Sequence, residues 1–177
     1  MRNVLLCCLF LLCAVGLVAC DNPSRIARRE VDRVTRITMR TEVNLKRTTR
    51  DALLTVAKEE GQRRGAELKL AGCGSATALS PSAALAEPCK GVVAASEARY
   101  ATRTAAITGP VKKIDAAIGA VYASLLVVLD VLEDVDAGLK PGGWQAKLAQ
   151  LVAEAVKLYT DAFAAFNAWK TAIGGVK

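Results

Sequence analysis

Residues 111–135 read VKKIDAAIGAVYASLLVVLDVLEDV, and their spacing decides the fold. Val111, Ile114, Ile118, Val121, Leu125, Val128, Leu132 and Val135 recur in steps of three and four. That is the period of one face of an α-helix. Every member is β-branched or Leu, so the stripe predicts a core helix, with Leu126 and Leu129 widening its apolar face. Asp115 and Asp130 bracket only fourteen uncharged residues, fewer than the roughly twenty that a membrane span needs.

Working outward, Gly109-Pro110 lies just before this stripe, inside a helical pattern that runs from Val92 to about Ala137. Proline removes a backbone donor and crowds the preceding turn, so a kink or a restart is expected there. Gly138-Leu139-Lys140-Pro141-Gly142-Gly143 is a stop signal followed by a turn. A last helix is expected from Trp144 to Ile173, with two adjacent stripes. One is Trp144, Leu148, Leu151, Ala155, Leu158, Ala162, Ala165 and Trp169; the other is Val152, Val156, Tyr159, Phe163 and Phe166. So broad an apolar face implies burial against two partners, or against one partner plus something absent from this chain.

On the N-terminal side, Asn22-Pro23-Ser24 suits a helix start, with Asn22 as cap and Pro23 at the first helical position. A thin stripe follows at Ala27, Val31, Val34, Thr38, Thr41, Leu45, Thr48 and Ala52. Three of its eight members are Thr, so this helix needs a stronger neighbour. Gly72-Cys73-Gly74-Ser75 stops it. Ser80-Pro81 and Glu87-Pro88 punctuate the connection, with room for one helical turn at residues 83–86. No strand pattern and no internal repeat occur. The expected fold is all-α: an elongated antiparallel bundle of three long helices, the middle one kinked near Pro110.

The first twenty residues have a different composition. Met1-Arg2-Asn3 carries one positive charge, and Val4 to Ala19 carries none. A basic head, an apolar run and small residues before a cut site are the physics of a secretory signal. The run ends Leu17-Val18-Ala19-Cys20, which resembles the lipobox of bacterial lipoproteins at all four positions. The resemblance implies removal of residues 1–19, a diacylglyceryl group on Cys20 and acylation of its new amino group, a palmitate-type anchor. It further implies, from Asp21 after the lipidated Cys, retention at the inner membrane of a Gram-negative cell, facing the periplasm. Residues 20–24 then form a tether and residues 25–177 a single helical domain.

Of six Cys, Cys7, Cys8 and Cys13 fall in the signal and Cys20 would carry lipid, leaving Cys73 and Cys89. An even pair outside the cytoplasm in a Gly/Ser/Pro-rich turn reads as a disulfide closing loop 73–89. A zinc site is a poor competitor, because the chain has no His to complete a tetrahedral set. The spacing is far from that of a Cys-x-x-Cys redox pair.

Charge is uneven. Residues 25–50 hold nine Lys/Arg against three acids, and residues 51–177 hold fourteen against thirteen. The basic character belongs to the segment beside the lipid. Arg25, Arg28, Arg29, Arg33 and Arg36, with Trp144, are therefore candidate membrane-surface residues. Nucleic acid is not an expected partner in that compartment. Acids crowd the end of the core helix at Asp130, Glu133, Asp134 and Asp136, where they oppose the helix dipole. Basic residues are expected beside them, and an antiparallel bundle would supply Arg28, Arg29, Arg33 and Arg36.

No His exists for a triad or an imidazole base, and no glycine-rich phosphate loop is present. The three acids Asp130, Glu133 and Asp134 share a face and could in principle meet a divalent cation, but a solvated acidic edge is the simpler reading. No catalytic residue, metal or cofactor is expected. The expectation is a non-enzymatic, lipid-anchored envelope protein that binds another envelope protein or supports an assembly. The alternative is a carrier holding an apolar small molecule beside Tyr159, Phe163 and Phe166, which would need a cavity of a few hundred Å³ there. A partner-binding protein would show an exposed apolar patch instead.

Overall fold

Three α-helices and no strand make up the described residues of the structure, a computed structural model that describes residues 22–74, 85, 87–140 and 142–174. The lipobox with Cys20 and Asp21, together with Pro141 and Gly175, lies outside the described residues. So does most of the expected turn at 83–86, where Leu85 alone is described and is not helical. Helix α1 spans Pro23–Leu70, α2 Cys89–Asp136 and α3 Trp144–Gly174.

The ends follow local chemistry. The Asn22 side chain accepts the Ser24 amide at 3.3 Å and the Ser24 hydroxyl at 2.8 Å, capping α1. At the other end, Cys73 N–H donates to the Leu68 carbonyl and Gly72 N–H to that of Lys69. The end of α2 repeats the pattern, with Leu139 bonded to Asp134 and Gly138 to Val135. This is the Schellman closure, and it requires a residue in the left-handed region. Gly72 and Gly138 supply it at φ +72° and +84°. Helix α2 begins at Cys89, three residues before the sequence-based start, and continues through Pro110. The expected restart is absent. One lost backbone bond is a local defect in a helix of 48 residues that packs on both sides of it.

The chain divides into two compact units. Unit 1 takes 22–42 of α1, 114–136 of α2 and 144–166 of α3 within the described residues. Its core joins Ala27, Val31 and Val34 to Val121, Leu125, Val128 and Leu132, and to Leu148 and Ala155. The α2 stripe therefore fills the seam as the periodicity predicts. Leu126 and Leu129 do not: they are 61 % and 39 % exposed. Leu126 stands about 100° around the helix from Leu125, outside the arc that α1 and α3 cover. Ala165, expected in an α3 stripe, is exposed for a similar reason. By length and composition alone α2 could cross a membrane, but its strongest seam is packed against the other helices.

Thr38 is 1 % exposed, and its hydroxyl has no hydrogen-bond partner among the described residues. Thr41 and Thr49 instead bond to the carbonyls four residues before them. A buried hydroxyl without a partner costs about 1–3 kcal/mol. Thr38→Val keeps the shape and removes that cost, so it should stabilise the fold by about 1 kcal/mol in urea unfolding.

Unit 2 takes 43–70 of α1, 89–113 of α2 and 167–174 of α3 within the described residues. Leu45, Val56, Leu68, Val93, Ile107 and Trp169 are its buried apolar residues. Cys73 and Cys89 are joined by a disulfide, with Cα atoms 6.1 Å apart and a sequence separation of 16. Both sulfurs are thus bonded to each other, which leaves no thiolate of this pair to ligate a metal.

Candidate functional site

Polar contacts cross between α1 and α2 in unit 1. Arg28 forms an ion pair with Asp136. This answers the acidic end of α2: a guanidinium offsets carboxylates that the helix dipole disfavours. Further along, Tyr122 donates its hydroxyl to Glu42 at 3.1 Å. Burial, then this carboxylate, pushes the Tyr122 phenol above its ordinary value. Among the described residues Arg25, Arg29 and Arg36 do not join the acidic end. Arg33 holds Glu30 at 3.5 Å on its own helix, and Arg25, Arg29 and Arg36 are exposed. Trp144 is half-buried and packs against the core cluster.

The aromatic stripe of α3 is split by the packing. Phe166 is buried at 4 % exposure, Tyr159 is half-buried against the core, and Phe163 is 41 % exposed. The Tyr159 and Phe163 rings stack on each other with centroids 5.8 Å apart. Each ring thus already has an aromatic partner.

Unit 2 holds a charge network that the sequence pattern does not reveal. Glu60 is 4 % exposed and accepts from Arg99 at 3.4 Å and Arg103 at 3.2 Å. Arg99 also reaches Glu67 at 2.7 Å, and Arg103 reaches Glu59 at 2.6 Å. Arg63 adds a second contact to Glu67 at 3.0 Å. The Arg99 and Arg63 hydrogen bonds hold the Glu67 carboxyl below its usual range, and the bond to Glu67 raises the Arg99 guanidinium. Arg103 is raised by Glu59 and then Glu60. Such a network fixes register more than it stabilises, because desolvation offsets the Coulomb gain. One signal does point to it: Glu60 falls four residues after buried Val56, on a seam position, and Arg99 and Arg103 are spaced i, i+4.

A shallow cleft of about 210 Å³ lies beside this network, between Glu60, Gly61 and Arg64 of α1 and Ser96, Glu97 and Tyr100 of α2. Its volume is small for a drug-sized ligand, and none of its lining residues belongs to the aromatic stripe. The Glu60 carboxylate is engaged by two guanidiniums, so it acts as an ion-pair acceptor. Among the described residues no three His, Cys, Asp or Glu side chains converge to hold a metal ion. The acids at the end of α2 are therefore not assembled as ligands.

Unit 1 also leaves large apolar side chains in solvent, beside its charged ones. Leu126, Val127 and Leu129 of α2 are 61 %, 46 % and 39 % exposed, and Met39 of α1 is 53 % exposed. The most apolar eighteen-residue window of α2 is only 28 % buried. Comparison of the chain with protein-family models, with curated proteins and with solved structures finds no match.

Proposed function

We propose that the chain is a lipid-anchored, non-enzymatic protein of the bacterial envelope, facing the periplasm, that binds another envelope protein through the exposed apolar surface of unit 1. One observation carries the binding half of this reading: Leu126 and Leu129 stand in solvent on a helix whose core seam is already filled. Large apolar side chains left together at a surface mark an interaction site. The anchoring half rests on the lipobox Leu17-Val18-Ala19-Cys20.

An antiparallel arrangement of α1 and α2 belongs to the same reading, and the cross-helix pairs support it. Within unit 1, moving back fourteen positions along α1 from Glu42 to Arg28 moves forward fourteen along α2, from Tyr122 to Asp136. Within unit 2, the disulfide joins the end of α1 to the start of α2. A bend at Pro110 goes with this reading, since the missing donor leaves one carbonyl free to tilt outward.

A photo-crosslinking amino acid placed at Leu126 tests the binding surface in living cells. The expected result is an adduct of one discrete mass, lost when Leu129→Glu is added and absent when the same probe replaces Ala153, exposed on α3. Equal adducts from both positions, or none from Leu126, would contradict the surface.

A further inference from the structure

The outer face of α1 in unit 1 is a line of arginines. Arg25, Arg29, Arg36 and Arg40 are exposed, and none of their guanidiniums has an ion-pair or hydrogen-bond partner among the described residues. Each stands two positions from a buried residue: Arg25 and Arg29 flank Ala27, Arg36 follows Val34, and Arg40 follows Thr38. Two positions are about 200° around a helix, so all four point away from the core. Arg33 shares the face while holding Glu30, and Asp32 is the acid exposed among them. From Arg25 to Arg40 the line extends about 22 Å at about 1.5 Å per residue.

The residue type is as telling as the charge. Between positions 25 and 40 every cation is Arg and none is Lys. A guanidinium presents a planar fork that fits two oxygens of a phosphate, where an ammonium is a point charge. A straight row of such forks on one helix face can meet a plane of phosphates all at once. The row also starts five residues after Cys20, within about 18 Å of chain at full extension.

We propose that this face of α1 docks on the phosphates of an anionic lipid leaflet, so that α1 lies along the membrane instead of standing on it. The inference rests on the lipid-anchored reading above and adds an orientation to it. Each basic residue near an anionic surface favours the docked state by about five-fold, so the four unpartnered arginines together favour it by roughly several hundred-fold at low salt. Raising the salt shortens the range of the attraction and weakens it.

The test uses the full lipidated chain on vesicles of phosphatidylcholine, with or without one third phosphatidylglycerol. A nitroxide at Asp32→Cys reports the α1 face, and one at Ala153→Cys reports exposed surface on α3. Collision with an aqueous nickel complex should fall several-fold at position 32 on the anionic vesicles only, and stay unchanged at 153. High salt, or the variant Arg25→Gln/Arg29→Gln/Arg36→Gln/Arg40→Gln, should restore access at 32 while the protein still floats with the vesicles. Flotation with both vesicle types and equal access at 32 would overturn docking and leave the anchor standing. Access at 32 on anionic vesicles but protection in native membranes would also overturn it, and would assign the face to an acidic protein. If the chain fails to float with neutral vesicles, the anchor is wrong. Flotation with anionic vesicles alone, lost in the four-fold variant, would then still support the face, and no flotation at all would reject it.

Discussion

Leu132→Ala should lower the unfolding free energy by about 3 kcal/mol, while Leu126→Ala, six residues away on the same helix, should change it by less than about 0.5 kcal/mol. Leu132 is fully buried and Leu126 is 61 % exposed. Truncating Leu132 loses the transfer free energy of its removed atoms and leaves a void beside Val128, Leu125 and the α1 residues Ala27 and Val31. That cluster is built largely of Ala and Val on the α1 side, so few long side chains are at hand to collapse into the space. Truncating Leu126 removes atoms that are mostly in water already. Urea unfolding followed by circular dichroism reads both, as a shift of midpoint at constant slope. Equal costs for the two variants would mean that the exposed flank of α2 is covered, which contradicts the surface described here.

Removing the disulfide should have a comparable effect by another route. Cys73→Ser/Cys89→Ser opens a loop with a sequence separation of 16. Loop-closure entropy makes a crosslink of that size worth about 3 kcal/mol, because the uncrosslinked chain has more unfolded states to lose. For a chain of this size the melting point should fall by about 10 °C. Helix content should remain, since the bond sits outside the helical hydrogen-bond pattern of α1 and at the first residue of α2. Amide exchange should accelerate first near residues 66–74 and 89–95. An unchanged melting point would contradict the loop-entropy account of this crosslink.

Much of this architecture is legible in the sequence because it rests on local rules. Asn22-Pro23-Ser24 opens α1 and Gly72 and Gly138 close helices, each through a backbone bond that the residue type dictates. The seam from Ile114 to Val135 is legible because its period leaves one direction for burial. The Arg28–Asp136 pair follows from a helix dipole that acids oppose. The exposure of Leu126 is not legible, since periodicity gives the direction of a face and not how much of it neighbours cover. The Glu60 network is hidden because a charge on a seam position reads as an interruption until its partners on another helix are known. Pro110 is legible in part: its local cost announces a kink or a restart, and packing on either side keeps α2 in one piece.

The site is less legible than the fold. Nothing in the residue pattern distinguishes an outward Arg that meets a carboxylate from one that meets only water. Arg28 and Arg29 are neighbours in sequence, yet only Arg28 faces Asp136. That sorting, which the three-dimensional packing makes, turns a basic segment into a basic face.

The proposed anchor is lipid at Cys20. Cells fed an alkyne fatty acid and expressing the full sequence measure it directly. The wild type should carry the label and fractionate with membranes; Cys20→Ser should carry none and leave them. Equal labelling of the two forms, or an unlabelled wild type, would contradict the anchor and with it the envelope reading built on it.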